Sequence, residues 1–235
     1  MRDAPPGDRD VRGPKLSFYH MNNNIVIAID GASASGKTTN AKIVARALGF
    51  IHVDTGAMFR TFAWHCLKKG VDVHDAKAVA ALCGEWHAAL DCVDNTIRLL
   101  VDGYYPEQEI RTVQVSEATP LVAKSAKVRE WMKQTQRSCL KFGSLVMEGR
   151  DIGEHIFPEA QFKFYLDASL TERSKRRAAQ GSREDIAARD AHDTRRVAAP
   201  LKIARDAIVI NNSQLTAEQT SALILEQVKK EMASV

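Results

Sequence analysis

Eight consecutive residues, Gly31-Ala32-Ser33-Ala34-Ser35-Gly36-Lys37-Thr38, carry the spacing GxxxxGK[ST], the pattern of a loop that wraps phosphates. Each fixed position has a task. Glycines let the chain curl so that successive backbone N–H groups converge on an anion, Lys37 adds a cation beside the β and γ phosphates, and Thr38 offers a hydroxyl to Mg²⁺. The first turn of the helix that follows, which includes Thr39, adds the partial positive charge of its N-terminus. The bland alternative is a Gly/Ser-rich turn ahead of a helix, with a solvated lysine.

A second set of arginines and acids lies downstream. Asp54-Thr55-Gly56-Ala57-Met58-Phe59-Arg60 places Arg60 about one helical turn beyond Thr55. Standing alone, Asp54 or Thr55 would read as a helix N-cap and Arg60 as a surface cation. Glu109-Ile110-Arg111-Thr112, Val128-Arg129-Glu130, Glu148-Gly149-Arg150-Asp151-Ile152-Gly153 and Arg189-Asp190 with Asp193, Arg196 and Ala199-Pro200-Leu201 follow in that order. Their types suit a second phosphorylated ligand held opposite the first. No NKxD motif for guanine follows the loop, which argues against a GTPase.

The elements that must position these residues alternate between short apolar runs and helical segments, the mark of an α/β fold with a mainly parallel sheet. Strand candidates are Ile25 to Ile29, Ile51 to Asp54, Leu145 to Glu148, Phe162 to Leu166 and Ala207 to Ile210. A helix is expected from Lys37 to Leu48, stopped by Gly49. About 90 residues separate the second and third strands, too many for one crossover helix, so part of them must form an inserted subdomain. Within it, Thr96 to Val101 followed by Asp102-Gly103 reads as one arm of a hairpin, and Val128 to Phe142 as a helix returning to the core. Residues 1–22 hold Pro5, Pro6 and Pro14 among mixed charges without an apolar period, and read as a disordered tail. Met21 at its end is a candidate native start.

In these motifs the chain resembles bacterial cytidylate kinases, nucleoside monophosphate kinases of the P-loop superfamily. The resemblance spans about residues 24 to 232 and rests on DTGAMFR, EIRT, EGRDIG and APL beside the phosphate loop. It implies a P-loop kinase core, 23–62 and 131–235, with a five-stranded parallel sheet flanked by helices. It also implies a monophosphate-binding insert over 63–130 and a short mobile lid over 178–199. The activity it implies is transfer of the γ-phosphoryl group of ATP, with Mg²⁺, to CMP and dCMP. Thr55, Arg60 and Arg150 would hold the acceptor phosphate, Arg129 and Asp151 the cytosine edge, and Asp193 the ribose. Arg189 and Arg196 would reach the phosphates from the lid, making Lys37, Arg150, Arg189 and Arg196 the catalytic cations. An aspartate suits cytosine because it accepts from the exocyclic amine, where uracil presents a carbonyl. The alternative for Asp151 is an ion pair with Arg150 or another arginine. Phe59 stands where many relatives have tyrosine, and Pro120 where a serine commonly helps to read the base. Thr119 is adjacent, but a neighbouring helical side chain points about 100° away. The stretch between Arg177 and Arg189 is shorter than usual.

Composition narrows the partners. The 235 residues are 45% hydrophobic and 26% charged, an ordinary globular balance. The net charge of +4 equals the surplus between Arg173 and Arg196, where eight basic residues face four acids. The excess is thus confined to the basic stretch from Arg173 to Arg196, which leads into and includes most of the expected lid, and with only 6% aromatic residues a nucleic-acid partner is not expected. No apolar run approaches the roughly 20 residues of a membrane span, and a soluble cytoplasmic monomer is expected. Cys66, Cys83, Cys92 and Cys139 lack metal-ligand spacing and read as reduced thiols. A dianionic phosphate needs no general base, so His52, His65 and His192 are expected to be structural or exposed. Two other readings remain: a kinase of broader monophosphate or small-metabolite range, and a nucleotide-binding regulator without catalysis.

Overall fold

Strand β1 (Val26–Gly31) is buried along its whole length, as befits the centre of a parallel sheet covered on both faces. In the computed structural model, which describes residues 24–179, 186–187, 190–191 and 202–233, β1 is flanked on one side by β5 (Leu145–Gly149) and on the other by β6 (Phe162–Asp167). Beyond β5 lies β2 (Ile51–Asp54), and beyond β6 lies β7 (Ile208–Asn211), all parallel. These are the five strands expected from the sequence. The expected tail lies outside the described residues.

Among the described residues the sheet nevertheless has seven strands, not five, in the order β3-β4-β2-β5-β1-β6-β7. A hairpin from the insert, β3 (Ala88–Val93) and β4 (Thr96–Val101), joins the edge of β2 through the single pair His52 and Thr96. Its turn is Asp94-Asn95, both with positive φ (50° and 53°), as a two-residue hairpin loop of this hand requires. β4 is therefore a hairpin arm, as expected, but its partner lies upstream. Asp102-Gly103 does make a tight turn, closed by Val101 and Tyr104, yet pairing ends at that one bridge.

The helices fall on the two faces. Helix α1 (Lys37–Leu48) ends where Gly49 turns left-handed at φ 67° and its N–H caps the carbonyls of Ala45 and Arg46. It packs with α7 (Ala217–Met232) over Ile27, Ile29, Val146 and Phe164, forming one apolar cluster. Alternate residues of β1 and β5, Ala28 and Met147 among them, face the other way, as does Val53 of β2. There they join α2 (Thr55–Lys68), α3 (Ala76–Glu85), α4 (Val113–Val122) and α5 (Ala126–Ser138) in a second cluster. Residues Trp86, Leu99, Val115 and Val128, from the segment expected to form the insert, belong to that cluster, so this segment extends the core of the sheet. Helix α6 (Leu170–Ala179) follows β6. The expected helix returning to the core is α5, continued by a 3₁₀ turn over Cys139–Phe142.

All four cysteines are thiols, three of them buried, and burial pushes Cys66 and Cys139 up to about 12. His52 and His65 are buried in the body of the fold, as expected, whereas His192 lies outside the described residues. Neither ring nitrogen of His52 has a partner among the described residues. Burial, with a small contribution from Lys42 and against the pull of Asp54, pushes its pKa down to about 4. A depressed histidine stabilises the fold above its ordinary value of 6.5 and loses that contribution as the pH falls toward 4. Its share is on the order of 3 kcal/mol. Urea unfolding at pH 7 and pH 4.5 should give His52→Leu a smaller acid loss than the unmodified protein. Equal losses would show that the ring does not titrate with folding.

Candidate active site

Parallel register brings the carboxyl ends of β1, β2 and β5 into line: Asp30 sits beside Gly149, and Asp54 beside Glu148. That end of a doubly covered sheet is where ligands bind, and a cavity of about 940 Å³ opens there. One end is lined by the loop residues Ser33, Ala34, Gly36, Lys37, Thr38 and Thr39, the other by Thr55, Arg60, Arg129, Arg150 and Asp151. Most described members of the two expected residue sets thus face one space, whereas Gly31, Ala32 and Ser35 of the loop do not line it. Arg189, Asp193 and Arg196 lie outside the described residues.

The loop curls around its own lysine. Lys37 is buried, and its Nζ donates to the Ala32 carbonyl at 2.6 Å and the Ser35 hydroxyl at 3.4 Å. Three side chains from the far end of the chain grip the loop's outer side. Arg173 donates to the Ser33 carbonyl at 3.2 Å, while Asn212 and Arg176 donate to that of Ser35 at 2.9 and 3.4 Å. Because a trans peptide sets N–H opposite C=O, this grip aims the N–H groups of Ala34 and Gly36 the other way. Arg177 adds a bond to the Ser33 hydroxyl at 3.0 Å. Part of the basic surplus assigned to the lid therefore belongs to the loop. Arg173, Arg176 and Arg177, spaced i, i+3 and i+4 on α6, share one helical face, and that spacing was the available signal.

Gly31 has no room for a side chain. A Cβ there would lie 2.4 Å from the Leu166 carbonyl oxygen and 2.9 Å from the Ser35 hydroxyl. Gly31→Ala is expected to cost about 1–3 kcal/mol and to weaken nucleoside triphosphate binding, read by thermal melting with and without ligand. An unchanged ligand-induced shift would contradict it.

At the opposite end, Asp54 caps α2 by accepting from Ala57 N–H at 2.7 Å and pairs with Arg60 at 3.0 Å. Burial alone would raise its pKa, but Arg60, the Ala57 N–H, His52 and Lys37 together bring it below the usual value. The cap and the cavity cation are thus the same local structure, not alternatives. Thr55 donates to the Glu148 carbonyl at 2.7 Å, which ties the start of α2 to β5. Arg129 and Asp151 form an ion pair at 2.5 Å with side chains only 12% and 11% exposed, and Arg129 lies over the Phe59 ring at 5.8 Å. The arginine alternative for Asp151 is realised, with Arg129 as the partner, on the cavity wall.

Pro120 sits inside α4 and does not line the cavity, whereas Thr119 does. The Thr119 hydroxyl donates to the Val115 carbonyl at 2.6 Å. The helical offset thus favours Thr119, and it is Pro120 that is turned away.

Glu148 was not assigned a role from the sequence. It is buried between the two ends of the cavity, one carboxyl oxygen lacks a partner among the described residues, and the Thr38 hydroxyl bonds to the carboxyl group. Burial and the neighbouring Asp54 hold its pKa above the ordinary value, against Lys37, the Thr38 bond and Arg150. The orphaned oxygen beside Thr38 fits a hard, oxygen-seeking divalent cation. Among the described residues no group of three or more His, Cys, Asp or Glu could hold a metal unaided, so phosphates and water would complete the shell.

Residues 27–230 match the family model described as cytidylate kinase. A cytidylate kinase of Geobacillus thermodenitrificans is 39% identical over 221 residues, covering 89% of this chain and 99% of the relative. Those of Bacillus licheniformis and Citrifermentans bemidjiense are 39% and 38% identical, covering 89% and 90% of this chain and 98% and 95% of theirs.

Proposed function

Because the chain belongs to the cytidylate kinase family, we propose that it transfers the γ-phosphoryl group of ATP to CMP and dCMP. The observation that carries this reading is one cavity lined by the phosphate loop and, across from it, by Arg60, Arg111, Arg129 and Arg150 with Asp54 and Asp151. ATP would lie along Gly31 to Thr39, its terminal phosphates against Lys37 and the helix N-terminus. The acceptor phosphate would lie against Thr55, Arg60 and Arg150, its base against the Arg129–Asp151 pair.

Charge explains the economy of the site. The acceptor phosphate has a second pKa near 6, so at neutral pH an oxygen is already nucleophilic without a base. The protein's task is to bring two anions in line against their repulsion while charge spreads over the transferring group. Lys37 and Arg150 supply cations from the described residues, and Arg189 and Arg196 would add theirs from the lid, which would also exclude water. Mg²⁺, held by Thr38 and Glu148 with the nucleotide, would neutralise charge on the donor phosphates. We read the protein as a cytoplasmic monomer with small-molecule substrates; no helix among the described residues is long and apolar enough to cross a membrane.

Purified protein with Mg-ATP should convert CMP and dCMP to diphosphates in a coupled assay and act far less on UMP and AMP. Absence of CDP under conditions where ATP binds would overturn the reading. Comparable rates on all four acceptors would favour the broader kinase.

A further inference from the structure

Asp30 is the last residue before the phosphate loop, yet it does not line the cavity. It is buried, and both its carboxylate oxygens are used. One accepts the Ile152 N–H at 2.9 Å, the other the Gly153 N–H at 2.8 Å. Those two amides open a π-helical turn, Ile152–Ile156, a rare conformation whose first N–H groups need outside acceptors. Immediately before them come Arg150 and Asp151. The turn is held from behind as well. A Cβ on Gly153 would lie 3.2 Å from the Lys163 stem and 3.5 Å from Ala204, and the Lys163 head is fixed by Asp206 at 2.7 Å and by the Pro158 carbonyl.

We propose that Asp30 is a positioning residue for the acceptor: its carboxylate presets the turn bearing Arg150 and Asp151 before any nucleotide binds. A single oxygen can accept from two neighbouring amides, as Asp75 Oδ1 does from Lys77 and Ala78 at the start of α3. At Asp30 the two amides instead fall on different oxygens, a division that serine, with one oxygen, or asparagine, with one oxygen and an N–H₂, does not reproduce. A buried carboxylate is also expensive to keep, and its pKa rises to about 6 through burial, against the two N–H bonds and Lys37 and together with Asp151. Its position on β1 means that the strand aiming the donor loop also aims the acceptor-reading turn.

The inference rests on the cytidylate kinase reading, and the test separates the two. Asp30→Asn retains one acceptor and turns an amide N–H₂ against the other backbone N–H. In folded Asp30→Asn, the KM for CMP should rise about tenfold and the CMP to UMP ratio of kcat/KM should fall about fivefold. The KM for ATP should stay within about twofold. Val228→Ala, a buried substitution in α7 on the face of the sheet opposite the acceptor residues, should lower the melting temperature without moving the KM for CMP or the ratio. An unchanged KM for CMP and ratio in Asp30→Asn, or an equal rise in KM for ATP, would overturn the positioning role. Absence of CDP formation by the unmodified protein would instead overturn the kinase reading. Hydrogen exchange in the unmodified protein decides even where the variant does not fold. Without CMP, the Ile152 and Gly153 amides should exchange as slowly as those of β1. Fast exchange that slows only on adding CMP would mean that the ligand, not Asp30, sets the turn.

Discussion

Lys37→Ala should lower the turnover of CMP to CDP by at least about a thousandfold while the protein stays folded. The size follows from where the charge sits. Lys37 is 5% exposed, so its cation acts in a space from which most water is excluded, where removing one preorganised electrostatic contact costs on the order of 10²–10³ in kcat. The same ammonium also tethers the Ala32 carbonyl at 2.6 Å, so its loss loosens the loop that must hold the triphosphate. Both effects fall on the donor. Steady-state kinetics with ATP binding measured separately will show whether turnover collapses; near-normal turnover would refute the assignment of the phosphate loop.

The second large effect lies at the other end of the cavity. Asp151→Ala should lower the CMP to UMP ratio of kcat/KM by about a hundredfold, because cytosine offers an amine to the carboxylate and uracil a carbonyl. The ion pair adds a stability signature. With both side chains nearly out of water, removing Asp151 leaves Arg129 buried and uncompensated, at a cost of about 3 kcal/mol. Arg129→Ala should cost a similar amount, and the double variant scarcely more than either single one. Asp151→Asn should lose discrimination with less damage to stability, since it keeps the shape. Additive stability losses, or a ratio that stays where it was, would place the pair outside base recognition.

Much of this site was legible because local physics specifies it. The loop spacing, the stop at Gly49 and the five parallel strands follow from backbone sterics and apolar periodicity within a few residues. The edge hairpin was harder. Ala88–Val93 contains two alanines and an aspartate and alternates between half-buried and exposed, so it lacks the β-branched signature, and its Asp94-Asn95 turn is less conspicuous than the Asp102-Gly103 pair nearby. The remainder depends on contacts that no window of sequence contains. Asp30 meets its amides 122 residues away, and Arg173 meets the Ser33 carbonyl 140 residues away. Glu148 drew no attention beside Arg150 because its significance is an unpartnered oxygen, visible only once Thr38 and Asp54 are in place.

The sheet also works as a partition. The donor loop rests on the layer built from α1 and α7, and the acceptor residues rest on α2, α4, α5 and the turn containing Ile152, which belong to the opposite layer. On the proposed assignment, the two substrates would be supported by separate hydrophobic masses on opposite faces of the shared strands. A change in one mass would then retune affinity for one substrate while the other keeps its setting.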